Sequence, residues 1–304
     1  MEINETTILD DRGFIKINGD EAKSFLQNIV TNDIEKITDN FTLFSSIFTP
    51  QGKYLYEFFI LKFEDGYLLE CEKKTTPGII KLFNFYKLRA KVNLIDVSEK
   101  YTSIIISLKK FKEITKSEHV KGSILSHEEG STLSCENERI YIDPRHKDLG
   151  AKIITKIENT ENIIKKFNLK KIDKKNYYEK SFTLGIPQVN LTKLKDKIFG
   201  IENNLDELNG IDFKKGCYVG QENTSRIKLR NKLRRRILPV QKIDGEISEN
   251  DIIKYKGVEI GKIIISKPYS FGLIKVVEPD IEEFMNAELV CGESKVKVLK
   301  PEWI

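Results

Sequence analysis

The chain has 304 residues, of which 39% are hydrophobic and 32% charged, and its formal net charge is +5. This length allows two or three compact cores, and so mild a net charge does not select a class of partner. The longest aliphatic runs have only strand length, and the first residues lack the pattern of a signal peptide. We therefore predict a cytoplasmic protein with no membrane partner.

The first seventy residues predict strands interrupted by one helix. Residues 12–19 alternate as a strand does, and the apolar spacing over residues 22–29 predicts a helix with Asp20 as its N-cap. Residues 41–71 predict three strands, joined first by a Pro-Gln-Gly turn and then by an Asp-Gly hairpin.

The next part of the chain continues to mix the two kinds of element. A second helix is predicted over residues 75–87 and two strands over residues 91–108. A further strand pair is expected within residues 123–145, and residues 160–185 predict helix that is broken at Asn168. The order lacks the regular alternation of a doubly wound sheet, which favours an α+β fold.

The last part of the chain changes character near Asn231. Short apolar runs recur there every eight to twelve residues and are separated by Asp-Gly, Lys-Gly and Cys-Gly pairs. This spacing is typical of a small β-barrel. The predicted domains are therefore an α+β body of two lobes over residues 1–230 and a barrel over residues 231–304.

Cysteine and histidine are sparse and scattered. The four cysteines form no Cys-x-x-Cys pair, and none of the three histidines lies at ligand spacing from a cysteine. We therefore predict no metal site held by this chain alone, and we expect the thiols to be reduced.

The strongest chemical signal is the segment DFKKGCYVGQENTSR, residues 212–226. A polar helix is predicted directly after Cys217, and Lys214, Lys215 and Arg226 surround that cysteine in the sequence. Cations and a helix N-terminus both favour the thiolate form, so Cys217 is a candidate reactive thiol. The alternative is that Cys217 is a small apolar residue filling space beside a turn.

The residues around the cysteine suit a loop that meets a ligand. Gly216 and Gly220 can adopt positive φ or lie against a bound group. Gln221 and Glu222 can bond exposed amides of the helix or the edge of a ligand, and Tyr218 would hold the loop in place.

The string KGCYVGQE, residues 215–222, resembles the signature of the YgfZ family of folate-binding proteins. This family is similar to the T-protein (aminomethyltransferase) of the glycine cleavage system. The likeness extends along the chain through further matching segments at residues 25–33, 49–55, 86–92, 143–145 and 185–188. It implies a T-protein-like body with a folate-sized cavity, followed by a C-terminal barrel.

The same resemblance implies a function. Family members assist the assembly or repair of iron–sulfur clusters in client enzymes, including tRNA-modifying radical-SAM enzymes, and they bind tetrahydrofolate. Partners would then be iron–sulfur clients or assembly proteins and a folate. Cys217 would be the working thiol with Lys215 and Arg226 beside it, in an accessory factor without turnover of its own.

Two departures argue against aminomethyl transfer, the first alternative function. Leu55 or Tyr56 stands where T-proteins carry an acid in their second strand region, and neither side chain holds negative charge at neutral pH. Thr183 stands where T-proteins carry the carboxylate that holds the pterin, and a hydroxyl cannot form that charge-assisted pair.

RNA binding is the second alternative. Residues 213–242 contain ten lysines and arginines against one acid, Glu222, but only two aromatic residues, both at the start of the stripe. A basic stripe with few interleaved aromatics is a weak nucleic-acid signal. Direct nucleic-acid binding is therefore not expected.

Three further residues are candidates for ligand contacts. Tyr86 and Arg89 could stack on and clamp a flat ligand, or they could complete a helix face and pair with a surface acid. Asn32 could donate to a ligand from a loop, or it could serve only a turn after the first helix.

Overall fold

A computed structural model describes residues 2–116, 128–135, 138–285 and 287–304. The chain forms two compact units, and each is built from several segments. Unit 1 comprises Met1–Ile47, Tyr56–Tyr177 and Leu208–Val219, and unit 2 comprises Phe48–Leu55, Tyr178–Glu207 and Gly220–Ile304. The predicted division after residue 230 stays a prediction.

The elements up to the end of unit 1 mix strands and helices as expected. In chain order they are β1 (Glu5–Leu9), β2 (Arg12–Asn18), α1 (Ala22–Ile29), β3 (Leu43–Phe48), β4 (Tyr54–Phe63), β5 (Gly66–Glu72), α2 (Thr76–Lys87), β6 (Asn93–Asp96), β7 (Tyr101–Ile106), α3 (Leu108–Ile114), β8 (Thr132–Cys135), β9 (Glu138–Ile142), β10 (Ala151–Lys156), α4 (Thr160–Lys166), β11 (Lys170–Lys171) and α5 (Lys174–Thr183).

These strands form two sheets. One has the order β3-β4-β5-β2-β6, and the other has the order β11-β1-β7-β10-β9-β8. Antiparallel pairing dominates, as between Ile15 and Leu69, whereas β1 and β11 run parallel. Neither sheet follows a βαβ rhythm, so the α+β prediction is confirmed.

The predicted helices are confirmed by the faces they bury. Helix α1 buries Ala22, Phe25, Leu26 and Ile29, the positions with helical apolar spacing. The predicted N-cap is wrong: Glu21 precedes the helix without a side-chain cap, and the carbonyl of Gly19 accepts the amide N–H of Ala22. No helix among the described residues is long and apolar enough to cross a bilayer.

The strand pair β8–β9 and the break between α4 and α5 also agree with the sequence. Asn168 adopts φ +50° directly after α4, a left-handed conformation in which a helix cannot continue. The part of the predicted strand segment at residues 123–127 lies outside the described residues.

Unit 2 contains the predicted barrel. Its elements are α6 (Gln221–Leu229), β12 (Arg235–Asp244), β13 (Ile252–Tyr255), β14 (Val258–Ile265), β15 (Phe271–Lys275), β16 (Leu289–Cys291) and β17 (Ser294–Val298). The strands close in the order β12-β15-β14-β13-β16-β17 around a core that includes Leu238, Ile253 and Phe284. Closure leaves no unpaired sheet edge, which explains how strands this short stay ordered.

Candidate functional site

Residues 212–219, here called the thiol loop, are anchored in unit 1 to the chain that follows helix α1. The backbone N–H of Asp212 donates to the carbonyl of Thr31 at 3.0 Å, and the hydroxyl of Thr31 donates to the carbonyl of Gly210 at 2.6 Å. Within this anchored loop Cys217 is exposed. The alternative of a buried space-filling cysteine is therefore not what the structure shows.

Lys215 supplies the strongest anchor of the loop. Its Nζ donates to the carbonyl oxygens of Gln27, Val30 and Asn32 at 2.7, 2.6 and 3.0 Å, and the residue is only 7% exposed. The first two of these carbonyls belong to the C-terminal end of α1, where carbonyls lack helical partners and attract cations. We infer that Lys215 positions the loop, because its three N–H groups are spent on these oxygens.

Burial and the neighbouring side chains change the pKa of the Lys215 ammonium. Burial lowers the pKa of Lys215 to about 8, against the opposing pull of Asp33 and Asp212. The ring of Tyr218 lies 5.2 Å from Nζ and adds a cation–π contact, with Tyr218 itself buried. Tyr218 therefore packs on the inner side of the loop; its predicted part in a ligand site stays a prediction.

Asn32 also serves the loop. Its side-chain amide donates to the carbonyls of Phe44 and Asn209, each at 2.8 Å, and its side-chain oxygen accepts the backbone N–H of Asp33. Both amide hydrogens are thus committed to backbone. The sequence allowed two interpretations of Asn32, a donor to a ligand or a residue that serves a turn. For Asn32 to donate to a ligand, one of these hydrogen bonds would have to break.

The two glycines of the motif differ in kind. Gly220 adopts φ +83°, and a Cβ there would lie 2.4 Å from the carbonyl oxygen of Thr49. Gly216 is exposed, and a Cβ there would meet no atom within 4 Å. Of the two glycines, Gly220 alone has a positive φ; that either one lies against a bound group stays a prediction.

Helix α6 begins directly after Gly220 and is fixed at its first turn. The side-chain amide of Asn223 donates to the carbonyl of Gln51 at 2.8 Å, and the hydroxyl of Thr224 donates to the carbonyl of Gly220 at 3.0 Å. Gln221 is half-buried, whereas Glu222 and Arg226 are exposed to solvent. The thiol precedes the first helical residue by four positions.

Tyr86 and Arg89 lie at the C-terminal end of α2. Tyr86 is partly buried with its ring edge-on to Phe85 at 5.4 Å, and Arg89 is exposed. Among the described residues, neither of them forms a hydrogen bond, an ion pair or a ring contact with the thiol loop. Their assignment as ligand-binding residues stays a prediction.

Several cations of the basic stripe are engaged within the protein. Arg235 and Arg236 pair with Glu202 and Glu207 at 2.9 and 2.7 Å, and Lys228 pairs with Asp206. These acids precede the stripe in the sequence and neutralise part of it. Together with the burial of Lys215, this pairing reduces the charge that would face a nucleic acid.

At the two positions where T-proteins carry acids, this chain has side chains that make other contacts. Tyr56 is 6% exposed, and its hydroxyl would meet a Cβ at Gly78 of α2 at 2.3 Å. Thr183 is exposed, and its hydroxyl donates to the carbonyl of Glu179 at 3.0 Å. Neither offers a carboxylate.

A buried charge cluster in unit 1 has no counterpart in the sequence-based predictions. Glu70 is fully buried and accepts from Arg12 at 2.9 Å, from Lys152 at 2.7 Å and from the hydroxyl of Tyr141. Burial would raise the pKa of Glu70, but the attraction of Lys152 and Arg12 lowers it well below the usual range. The cluster ties β2 and β5 of one sheet to β9 and β10 of the other, which is a structural task.

A cleft of about 550 Å³ opens in unit 1 beside the thiol loop. Three rings line it, from Phe41, Phe44 and Phe213, together with the cations Lys36 and Lys214 and the acids Glu128, Glu129 and Asp212. Lys36 pairs with Asp212 at 2.5 Å, which leaves Lys214 as the cation of this lining without an acid partner among the described residues. Asn32 is the predicted ligand-binding residue that contributes to the lining. The rings and Lys214 suit a flat ligand that carries a carboxylate.

Among the described residues, no three histidine, cysteine or carboxylate side chains come close enough together to hold a metal ion. Cys217 therefore belongs to no such group in the part of the chain that the structure covers.

Curated proteins similar to this chain are named mitochondrial iron–sulfur cluster assembly factor IBA57 homologues. The one from Neurospora crassa is 27% identical over 292 residues, covering 93% of this chain and 62% of the relative. Those from Dictyostelium discoideum and Pyricularia oryzae are 28% and 29% identical and cover 76% and 77% of this chain. These assembly factors are homologues of this chain.

Homology confirms the resemblance that the motif predicts, although no protein-family model matches the chain. The chain spans only 62%, 61% and 56% of the lengths of these three relatives. A solved structure, the glycine cleavage system aminomethyltransferase T from Bartonella henselae, matches with a TM-score of 0.73 over 99% of this chain at 10% identity. The predicted T-protein fold is thereby confirmed.

We expect Cys217 to be the fastest-reacting of the three thiols whose side chains the structure describes. Cys71 and Cys291 are buried, and burial raises the pKa of both, that of Cys291 to about 11. Since the thiolate is the reactive form, iodoacetamide at pH 8 should modify Cys217 at least ~100-fold faster than it modifies Cys71 or Cys291. Peptide mass mapping of a Cys135→Ser protein measures this order, and comparable rates at Cys71 or Cys291 would contradict it.

Lys215→Met should destabilise the fold without removing the apolar stem of the side chain. Three buried carbonyls lose a charged donor, so the free energy of unfolding should fall by about 2 kcal/mol at pH 7. Urea unfolding measures this loss. The exposed neighbour provides the control, since Lys214→Met should change the value by less than ~0.5 kcal/mol.

The pH dependence of stability, compared between the wild type and Lys215→Met, tests the burial of the Lys215 ammonium. Because the pKa of Lys215 is about 8 when folded and 10.5 in the unfolded reference, the unfolded chain binds this proton more tightly. The stability of the wild type should therefore rise relative to Lys215→Met as pH increases from about 8 to 10.5. Parallel profiles of stability against pH for the wild type and Lys215→Met would contradict a lowered pKa of Lys215.

Proposed function

We propose that this protein is an accessory factor for the assembly or repair of iron–sulfur clusters in client enzymes. The observation that carries the proposal is Cys217, an exposed thiol on a loop that Lys215 and Asn32 hold in place. The names of the homologues, iron–sulfur cluster assembly factors, support it. The tRNA-modifying clients and the cytoplasmic location predicted from the sequence are part of this proposal.

The chemistry of the thiol suits this role. Thiolate sulfur is the usual ligand of iron in iron–sulfur clusters. Cys217 would lose its proton to solvent and donate a sulfur electron pair to an iron of a cluster in transit, without a change in the oxidation state of either atom. A client or assembly protein would supply the other ligands of that cluster.

We also propose that the protein binds a tetrahydrofolate. The T-protein fold supports this, and so does the fit of the cleft beside the thiol loop. Phe41 and Phe213 would pack against the rings of the folate, and Lys214 would attract a glutamate carboxylate. A bound tetrahydrofolate would bring its capacity to carry one-carbon units; the residues named here only hold it.

Folate-dependent group transfer by this chain is the less supported function. The positions of the two T-protein acids hold Tyr56 or Leu55 and Thr183, and no carboxylate replaces them there. A binding role requires neither acid, which is why we favour the accessory factor.

We expect tetrahydrofolate to bind with a measurable heat in titration calorimetry. Phe213→Ala with Lys214→Ala should weaken binding about tenfold, or ~1.4 kcal/mol, since the pair removes a ring and a cation from the cleft. Phe85→Ala is the control, because Phe85 is 72% exposed and does not line the cleft. No heat at millimolar ligand, or an equal loss in the control, would contradict the proposed site.

The accessory role is tested by rescue. A bacterial strain that lacks its own member of this family is given the gene, and the activity of an iron–sulfur enzyme is measured in extracts. Restored activity at equal amounts of client protein supports the proposal. Unchanged activity, with the rescuing protein present and folded, would refute it.

A further inference from the structure

A second cleft, of about 690 Å³, lies entirely within unit 2. Its walls come from helix α6, from the linker that leads into β12 and from the chain after β15, with Phe199 opposite. The volume falls within the ordinary range for small-molecule sites, about 300–1,000 Å³. None of the residues of the thiol loop lines it.

The floor of this cleft is apolar and contains one aromatic ring. Phe199, Ile227, Leu233 and Val277 contribute to it, and Val277 is 53% exposed. An aromatic ring beside branched aliphatic side chains is a surface on which a flat heteroaromatic ring packs well.

The rim of the cleft is cationic. Lys232 and Arg234 are exposed, and neither pairs with an acid among the described residues; Lys275 donates to a backbone carbonyl, that of Glu259. In contrast, Arg235 is neutralised by Glu202 at 2.9 Å. Lys232, Arg234 and Lys275 are therefore the cations that an anion entering the cleft would meet.

The remaining polar groups select among anions. Glu278 places a carboxylate on the same cleft, and Asn223 keeps its side-chain oxygen as an acceptor because its amide is spent on Gln51. Acceptors facing a ligand require donors on that ligand. A purely anionic chain such as polyglutamate offers few, whereas a nucleotide offers ribose hydroxyls and a base amine in addition to its phosphates.

We propose that this cleft binds a nucleotide. The base packs on Phe199, the phosphates meet Lys232 and Arg234, and Glu278 accepts from the sugar or the base. No residue that lines this cleft belongs to the lining of the proposed folate cleft or to the thiol loop, so the proposal stands or falls independently of the proposed function.

The test is titration calorimetry of the full chain with ADP, in a buffer containing EDTA. We expect binding in the micromolar to low millimolar range, weaker binding of pyrophosphate and of adenosine alone, and at least a tenfold loss in a Lys232→Ala, Arg234→Ala double variant. The matched control is Lys254→Ala with Lys297→Ala, barrel lysines that do not line the cleft; their ADP affinity should stay within twofold of wild type.

Three outcomes would overturn the proposal. These are no heat with ADP at about 5 mM, equal losses in the cleft and control variants, and tight binding of a ten-nucleotide RNA without binding of ADP. Val277→Trp gives a second arm, because a large side chain at this exposed position should block the base while keeping every cation. Retained ADP binding in a folded Val277→Trp protein would also count against the site.

Discussion

Cys217→Ser should abolish the rescue of iron–sulfur enzyme activity while leaving the fold unchanged. The side chain is exposed and serine is close to it in size, so the free energy of unfolding should change by less than ~0.5 kcal/mol. Serine cannot replace the thiolate, because its hydroxyl stays protonated at neutral pH and is a poor ligand for iron. Client activity should fall to the level of the strain without the gene.

The control for this experiment lies outside both clefts. Lys254→Ala removes an exposed lysine of the barrel that lines neither cleft, and it should keep most of the rescue at protein levels equal to wild type. Rescue by Cys217→Ser that equals the wild type would show that the exposed sulfur takes no part in the function. The fold and the homology would then stand without a working thiol.

Gly220→Ala should be the most destabilising single-methyl change in the motif. The new Cβ would lie 2.4 Å from the Thr49 carbonyl oxygen and 2.9 Å from Cβ of Phe48, and the residue would have to hold φ +83°. Steric overlap with backbone and left-handed strain together should cost at least about 2 kcal/mol. Urea unfolding of the purified variant measures this cost.

Gly216→Ala is the matched control, since it adds the same methyl group at a position where the new Cβ would meet no atom within 4 Å. It should change stability by less than ~0.5 kcal/mol. Similar losses in both variants would mean that the turn before α6 does not require glycine. That result would contradict the close packing of Gly220 against the carbonyl of Thr49.

The sequence predicted most elements because their apolar spacing is local. Ala22, Phe25, Leu26 and Ile29 are the buried face of α1, and glycine-containing turns separate the strands of the barrel. The prediction of Asp20 as N-cap was wrong. The carbonyl of Gly19 accepts the first amide N–H of the helix instead, and no local sequence pattern distinguishes this turn from a cap by the Asp20 side chain. Such a choice depends on backbone geometry that composition does not encode.

The motif predicted an exposed thiol at Cys217, and the structure shows it exposed; that this thiol is functional stays a prediction. The motif also predicted Lys215 as a cation beside that sulfur, but not the groups that Lys215 contacts. The partners of Lys215 are carbonyls almost two hundred residues earlier, at Gln27, Val30 and Asn32, which no spacing rule connects to residue 215. The cluster around Glu70 was missed for the same reason, because Arg12, Tyr141 and Lys152 converge on it from distant strands.

The open surroundings of Gly216 offer a way to capture whatever visits the neighbouring sulfur. A photoreactive amino acid placed at this position would be accommodated at its first side-chain carbon, which would meet no atom within 4 Å. Illumination in living cells would then attach the visiting molecule covalently next to an unaltered cysteine, and sequencing of the adduct would name it.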